Sequence, residues 1–151
     1  MELRCRALLS RLPDQAAISH STAAALWGIP LPSRLESDGP HVTVPVGVRA
    51  PQRRDVHGHQ RQLPSTDVTR RLGFAVTSPE RTWCDLGEQL SFADLVAAGD
   101  YLVHGQSPLV TIDDLAQKLD ERARQRGSRL AREALPRLSD RAGSGSWSTA
   151  H

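Results

Sequence analysis

The chain has 151 residues, of which 38% are hydrophobic and 24% charged, and a formal net charge of +2. That composition is ordinary for a soluble globular protein that buries roughly two thirds of its unfolded surface. No run approaches the ~20 apolar residues of a membrane helix, and the charged opening "MELRCRALLSRLP" is no signal peptide, so the expected compartment is the cytoplasm.

In "ELRCRALLSRL", Leu8 and Leu12 with Cys5 and Leu9 have the spacing of a short amphipathic helix that stops before Pro13. Ser19 or Ser21 then caps "STAAALWG", and Gly28 ends that helix. "IPLPSRLESDGP" reads as loop. "HVTVPV" alternates and is β-branched, a strand that Pro45 ends or confines to an edge. "RDVHGHQRQL" is a weaker strand and "LGFAVTS" a stronger one, and the turn-rich links favour antiparallel pairing. Ser78-Pro79-Glu80 is a strong helix start: a serine that can accept from free amides, a proline that loses no hydrogen bond, and an early acid at the positive end of the dipole. Beyond it Trp83, Leu86 and Leu90 share a face. Ser91 with Asp94 opens "FADLVAAGDYLV", and Thr111 with Asp114 opens "LAQKLDERARQR", which Gly127 ends. Ser128 caps "RLAREALPRL", where Pro136 is expected to kink or shorten the helix. The expected fold is α+β: a small antiparallel sheet of about three strands packed against several helices. It should form a single domain over residues 1–138, followed by a disordered Gly/Ser-rich tail over 139–151.

The chemical inventory is thin. The Gly-rich nucleotide fingerprints, H-E-x-x-H and G-x-S-x-G do not occur in the chain. His57 and His59 lie two apart in a strand, so both imidazoles face one side and could reach one metal. A third ligand has no obvious register, since Asp55 shares that face only in a regular strand. The expectation is two solvent-facing histidines and no metal. Asp113 and Asp114 are adjacent and serve the helix dipole. Cys5 and Cys84 form neither a disulfide framework nor a zinc site and read as buried thiols. No catalytic residue and no cofactor is expected.

Charge is unevenly spread. Arg49 to Arg71 carries six arginines against two aspartates, whereas Glu80 to Asp100 has one arginine against five acids. Arginine grips phosphate in bidentate fashion. If nucleic acid is bound, the expected contacts are Arg49, Arg53, Arg54, Arg61, Arg70 and Arg71, on and around one sheet edge. The chain has only six aromatic residues and none between His41 and Leu72. The contact would therefore be to the phosphates of double-stranded DNA, without base stacking.

The segments "SHSTAAALWGIPLP", "HVTVPVGVRAPQRRDVHGHQ" and "VTSPERTWCDL", in that order, resemble the bacterial AbiEi-family antitoxin domains of type IV toxin–antitoxin systems. The resemblance runs from about Ala17 to Leu138. Such domains occur in chains that also carry a very-short-patch-repair endonuclease-like C-terminal domain, and longer members have an N-terminal winged helix-turn-helix. Neither part is recognised here, and Lys118 lacks the acid or amide two residues earlier that the nuclease metal motif requires. The resemblance thus implies a non-enzymatic antitoxin-like or regulator-like binding domain whose partner is a toxin protein or double-stranded DNA, with no membrane and no small-molecule substrate. The alternative is the non-catalytic part of an endonuclease-like protein without its nuclease domain. On either reading, "VTSPERTWCDL" is a structural joint and not an active site.

Overall fold

A strand of only two residues organises the first half of the chain. The computed structural model describes residues 6–7, 10–36 and 38–144, with side chains through 138. The chain divides into two compact units, Met1–Ser78 and Pro79–His151, and the boundary falls within the Ser78-Pro79 joint. Most of the helix expected before Pro13 lies outside the described residues, as does Cys5.

The first unit contains β1 (Ala17–Ile18), α1 (His20–Trp27), α2 (Ser33–Glu36), β2 (His41–Val44), β3 (His57–Gln60), a 3₁₀ turn (Ser65–Asp67), β4 (Val68–Arg71) and β5 (Phe74–Thr77). The strands form one sheet in the order β3-β2-β1-β5-β4. Pairs β1–β2 and β4–β5 are antiparallel, while β1–β5 and β2–β3 are parallel. The sheet is therefore mixed and five-stranded, not the antiparallel sheet of about three strands that the turn-rich links imply. Two physical reasons account for the difference. Ala17–Ile18 is too short to show any alternation, and Val68–Arg71 is polar and largely exposed, so neither carries a hydrophobic period. A helix, α2, also interrupts the stretch read as loop.

Pro45 does end β2, but β2 is interior and buried throughout. Residues 45–56 then carry the chain back so that β3 can pair parallel to β2. The β4–β5 hairpin closes through Leu72 and Gly73, both at positive φ (53° and 86°), the backbone that a two-residue type I′ turn demands. Ile18, Ala23, Leu26, Phe74 and Val76 form one core cluster of this unit, with Trp27 packed against it, and Val42 and Val56 form another. The Trp27 indole N–H donates to the Thr77 carbonyl at 2.9 Å. Gly28 ends α1 at φ 80°, its N–H reaching the Ala24 and Ala25 carbonyls, as the sequence pattern predicts.

The second unit is helical: α3 (Pro79–Leu86), α4 (Phe92–His104), α5 (Ile112–Glu121) and α6 (Ser128–Ser144). Trp83, Leu86 and Leu90 are all buried, and the Trp83 indole N–H donates to the Leu95 carbonyl at 3.0 Å. Both expected helix starts are built. Ser91 Oγ accepts from the Asp94 amide, and Thr111 with Asp114 forms a reciprocal capping box. Helix α4 comes close to its neighbours at Gly99, where a Cβ would lie 2.6 Å from Leu138 Cδ1 and 3.0 Å from Trp83 Nε1. Helix α6 continues through Pro136 to Ser144, past the point where the tail was expected to begin; residues 145–151 lie outside the described set.

Candidate functional site

The arginine segment was expected to line one edge of the sheet. Instead the six residues are divided between opposite edges. Arg49, Arg53, Arg54 and Arg61 lie on the segments flanking β3, at one end of the strand order, and Arg70 and Arg71 are on β4 at the other. Four inter-strand steps separate the two edges, roughly 19 Å at ~4.8 Å each. Several of these side chains also have local partners. Arg49 donates to Gln52 Oε1 at 3.0 Å, Arg53 lies 3.7 Å from Asp55, and Arg61 donates to the Gln60 carbonyl at 3.0 Å. Arg71 donates to the Leu26 carbonyl at 3.1 Å and stacks over the Trp27 ring at 5.1 Å. Arg70 lines a shallow pocket with Ser10, Leu12, Pro13, Asp14, Ala16, Gly73 and Ala75.

The denser constellation is made of histidines. The parallel register of β2 and β3 sets His41 beside His57 and Thr43 beside His59. Because side chains two apart in a strand share a face, this pairing stacks imidazoles. His41 and His57 have ring centroids 4.3 Å apart. His59 in turn stacks at 3.9 Å on His20, the first residue of α1. His20 and His41 are buried, His59 is half-buried and the His57 side chain is 47% exposed. Asp38 stands at the outer end of the stack, 2.9 Å from His41 Nε2, and its carbonyl oxygen is 2.7 Å from His57 Nε2. His41 Nδ1 is 2.9 Å from His59 Nε2.

Local structure is bent to serve this cluster. Ser19 occupies the N-cap position of α1, as expected, but its side chain makes no capping bond. Its Oγ instead meets His20 Nδ1 at 2.8 Å and accepts from the Thr43 hydroxyl at 2.7 Å. His20 itself has φ 55°, a left-handed backbone that a bulky residue rarely adopts. The His41 amide donates to Thr22 Oγ1 at 2.8 Å, tying β2 to α1. Ser19 is completely buried, so this Ser–His pair presents no nucleophile to a substrate.

Electrostatics follow from the packing. Burial pushes the His41 pKa down. The bond to Asp38 partly opposes that, while the neighbouring His20 and His57 rings add to it. Partial desolvation pushes Asp38 up, but hydrogen bonds and charge from His41 and His57 outweigh it and hold the carboxyl below its ordinary value. With its proton on Nε2 for Asp38, a neutral His41 offers Nδ1 as an acceptor to His59.

Two overlapping sets in this unit bring ligand atoms within 4.8 Å of one another: His20, His41 and His59, and Asp38, His41 and His57. Spacing along the sequence reveals only the His57–His59 pair, without a third ligand. Strand pairing supplies His41, and the turn from β1 into α1 supplies His20. His59 is consequently not the solvent-facing side chain it was expected to be.

A buried ion-pair cluster in the helical unit has a structural role. Arg81 Nε donates to both oxygens of Asp85 at 3.1 and 3.2 Å, and Arg122 Nη2 to Oδ1 at 3.4 Å. Next to it Cys84 is buried, its thiol pushed up to about 12 by desolvation and the Asp85 charge, which is the inert state expected of it.

No curated protein matches the chain. A family model does, that of the AbiEi antitoxin C-terminal domain, over residues 15–137. That span takes in the complete sheet, the histidine cluster and most of the helical unit, well over half of the chain, and on this ground the chain belongs to the AbiEi antitoxin C-terminal domain family.

Proposed function

We propose that this chain is a non-enzymatic antitoxin-like regulatory domain that acts by contact with a partner protein. The observation that carries the reading is family membership across both units. A protein partner is favoured over duplex DNA by the arginine distribution. Cations divided between two sheet edges, several of them engaged by local acceptors, do not form the continuous basic stripe that phosphate binding uses.

The test is co-expression. A nucleotidyltransferase-like toxin gene beside the coding region, whose growth arrest this chain relieves, is the expected result. Equal arrest with and without the chain overturns the reading. Two arms address the finer points. Plasmid incubated with the purified chain and magnesium or manganese should remain intact, and cleavage lost in an acid-to-alanine variant would make the chain an enzyme. Duplex binding that weakens steeply with salt and is lost in an Arg53→Ala, Arg54→Ala variant would return DNA as the partner.

A further inference from the structure

We propose that His20, His41 and His59 form a binding site for a divalent transition metal, zinc being the expected ion. Three elements converge to make it: the start of α1, the start of β2, and β3. One ring nitrogen of each histidine lies within 4.8 Å of the others, and His41 Nδ1 and His59 Nε2 are 2.9 Å apart. Zinc–nitrogen bonds of ~2.0–2.1 Å in a tetrahedron set ligand nitrogens about 3.3 Å apart. That pair needs to open by only a few tenths of an ångström. The stacked rings must re-tilt about χ2 to aim at one ion, and half-buried His59, on the sheet-edge strand β3, is the least enclosed of the three.

The far nitrogens support the assignment as much as the near ones. A metal-binding histidine commonly donates its other ring N–H to a carboxylate or another oxygen, which fixes its tautomer and makes the ligating nitrogen more basic. His41 has this arrangement, with Nε2 on Asp38 and Nδ1 turned to His59. His20 has it in the tautomer that carries its proton on Nδ1, where that N–H reaches Ser19 Oγ, itself placed by Thr43. The left-handed backbone at His20 is also accounted for. A left-handed conformation at a bulky residue persists where the surroundings over-determine it, and ligand sites are where such residues gather. An all-imidazole set suits zinc, copper or nickel and not magnesium or calcium, which take oxygen ligands. Three protein ligands leave a fourth position for water or a group from a partner.

The experiment uses the tag-free full chain, stripped with chelator and titrated with zinc chloride at neutral pH. Thermal midpoint and bound metal are read together, and cobalt serves as a spectroscopic stand-in. The expected result is about one equivalent bound, a rise in the midpoint, and the visible absorption of four-coordinate cobalt. His59→Gln should abolish all three, and Asp38→Asn should weaken binding about 10–100-fold. His104→Gln, in the other unit, should leave binding unchanged. Absence of zinc binding by the folded wild-type chain overturns the site, as does binding that His59→Gln leaves intact. Loss on His57→Gln with His59→Gln neutral also overturns it, in favour of the Asp38, His41 and His57 set. His59 is half-buried on an edge strand whereas His20 and His41 are buried, so circular dichroism should show the His59 variant folded.

Discussion

Asp85 with its two arginines in the helical unit is buried, whereas the four imidazoles of the sheet unit run from buried His20 and His41 to half-exposed His57, and the two polar clusters are held by different means. Arg81 and Arg122 cannot shed their protons, so their burial depends on a carboxylate that is itself completely buried. The imidazoles can be buried as neutral rings, each both donor and acceptor, and the partly exposed carboxylate of Asp38 pairs with His41 and His57. The guanidinium charges of the first cluster are permanent. The second can answer to a proton or a metal ion. Permanent charge builds a scaffold, and titratable charge leaves room for regulation.

The sharpest way to break this contrast is Asp85→Ala. It strands two buried guanidinium groups and should cost about 3–5 kcal/mol, read as a lower unfolding midpoint for the helical unit. A loss under about 1 kcal/mol would put the pair in the class of exposed ion pairs. Next is Gly99→Ala, whose methyl would overlap Leu138 and the Trp83 ring; overpacking of this kind costs about 1–3 kcal/mol, and urea melts should show it. Thr111→Ala removes a complete capping box and should cost about 1 kcal/mol, without altering zinc binding in the other unit.

The smallest expected effect is a slope with pH in the sheet unit. The folded His41 pKa is depressed, so the unfolded chain binds more protons just below 6.5, the ordinary imidazole value. Stability from this group is therefore complete above 6.5 and is lost as pH falls through the lower folded value. Asp38, also depressed, keeps its own contribution down to 3.8 and loses it below. The groups facing His41 are Asp38, His20, His57 and His59, so His41→Gln should flatten the slope between these two values. A melting midpoint that rises on mild acidification would contradict this account.

Much of the helical unit was legible in the sequence because its signals are local. Ser91 with Asp94, Thr111 with Asp114, and the Trp83, Leu86, Leu90 face each lie within a few residues and need no partner to be recognised, although the helix opened by Thr111 stops at Glu121 and not at Gly127. The sheet hid more. Val68–Arg71 has no apolar alternation, and parallel pairing of β2 with β3 leaves no trace in either strand alone. For the same reason the histidine site was half visible. His57 and His59 announce themselves by their spacing, but His41 joins them only through strand register, and His20 only through a left-handed residue that propensity disfavours. The arginines misled in the opposite direction, since residues near in sequence were carried to opposite edges by the strand order.

The two-residue strand β1 has a consequence for how the molecule comes into being. Its neighbours are β2 on one side and β5 on the other, with Ile18 set against both Val42 and Val76. A growing chain can align β2 with β3 early, and can later close the β4–β5 hairpin, but the strand that joins these two pieces waits for Val76 to emerge. The sheet is thus completed late, by contacts distant along the chain, which is the slow mode of folding. Until then Ile18, Ala23 and Leu26 lack the Phe74 and Val76 they pack against. Release of a nascent chain ending before Phe74 should yield an aggregation-prone fragment, and one extending past Thr77 should not.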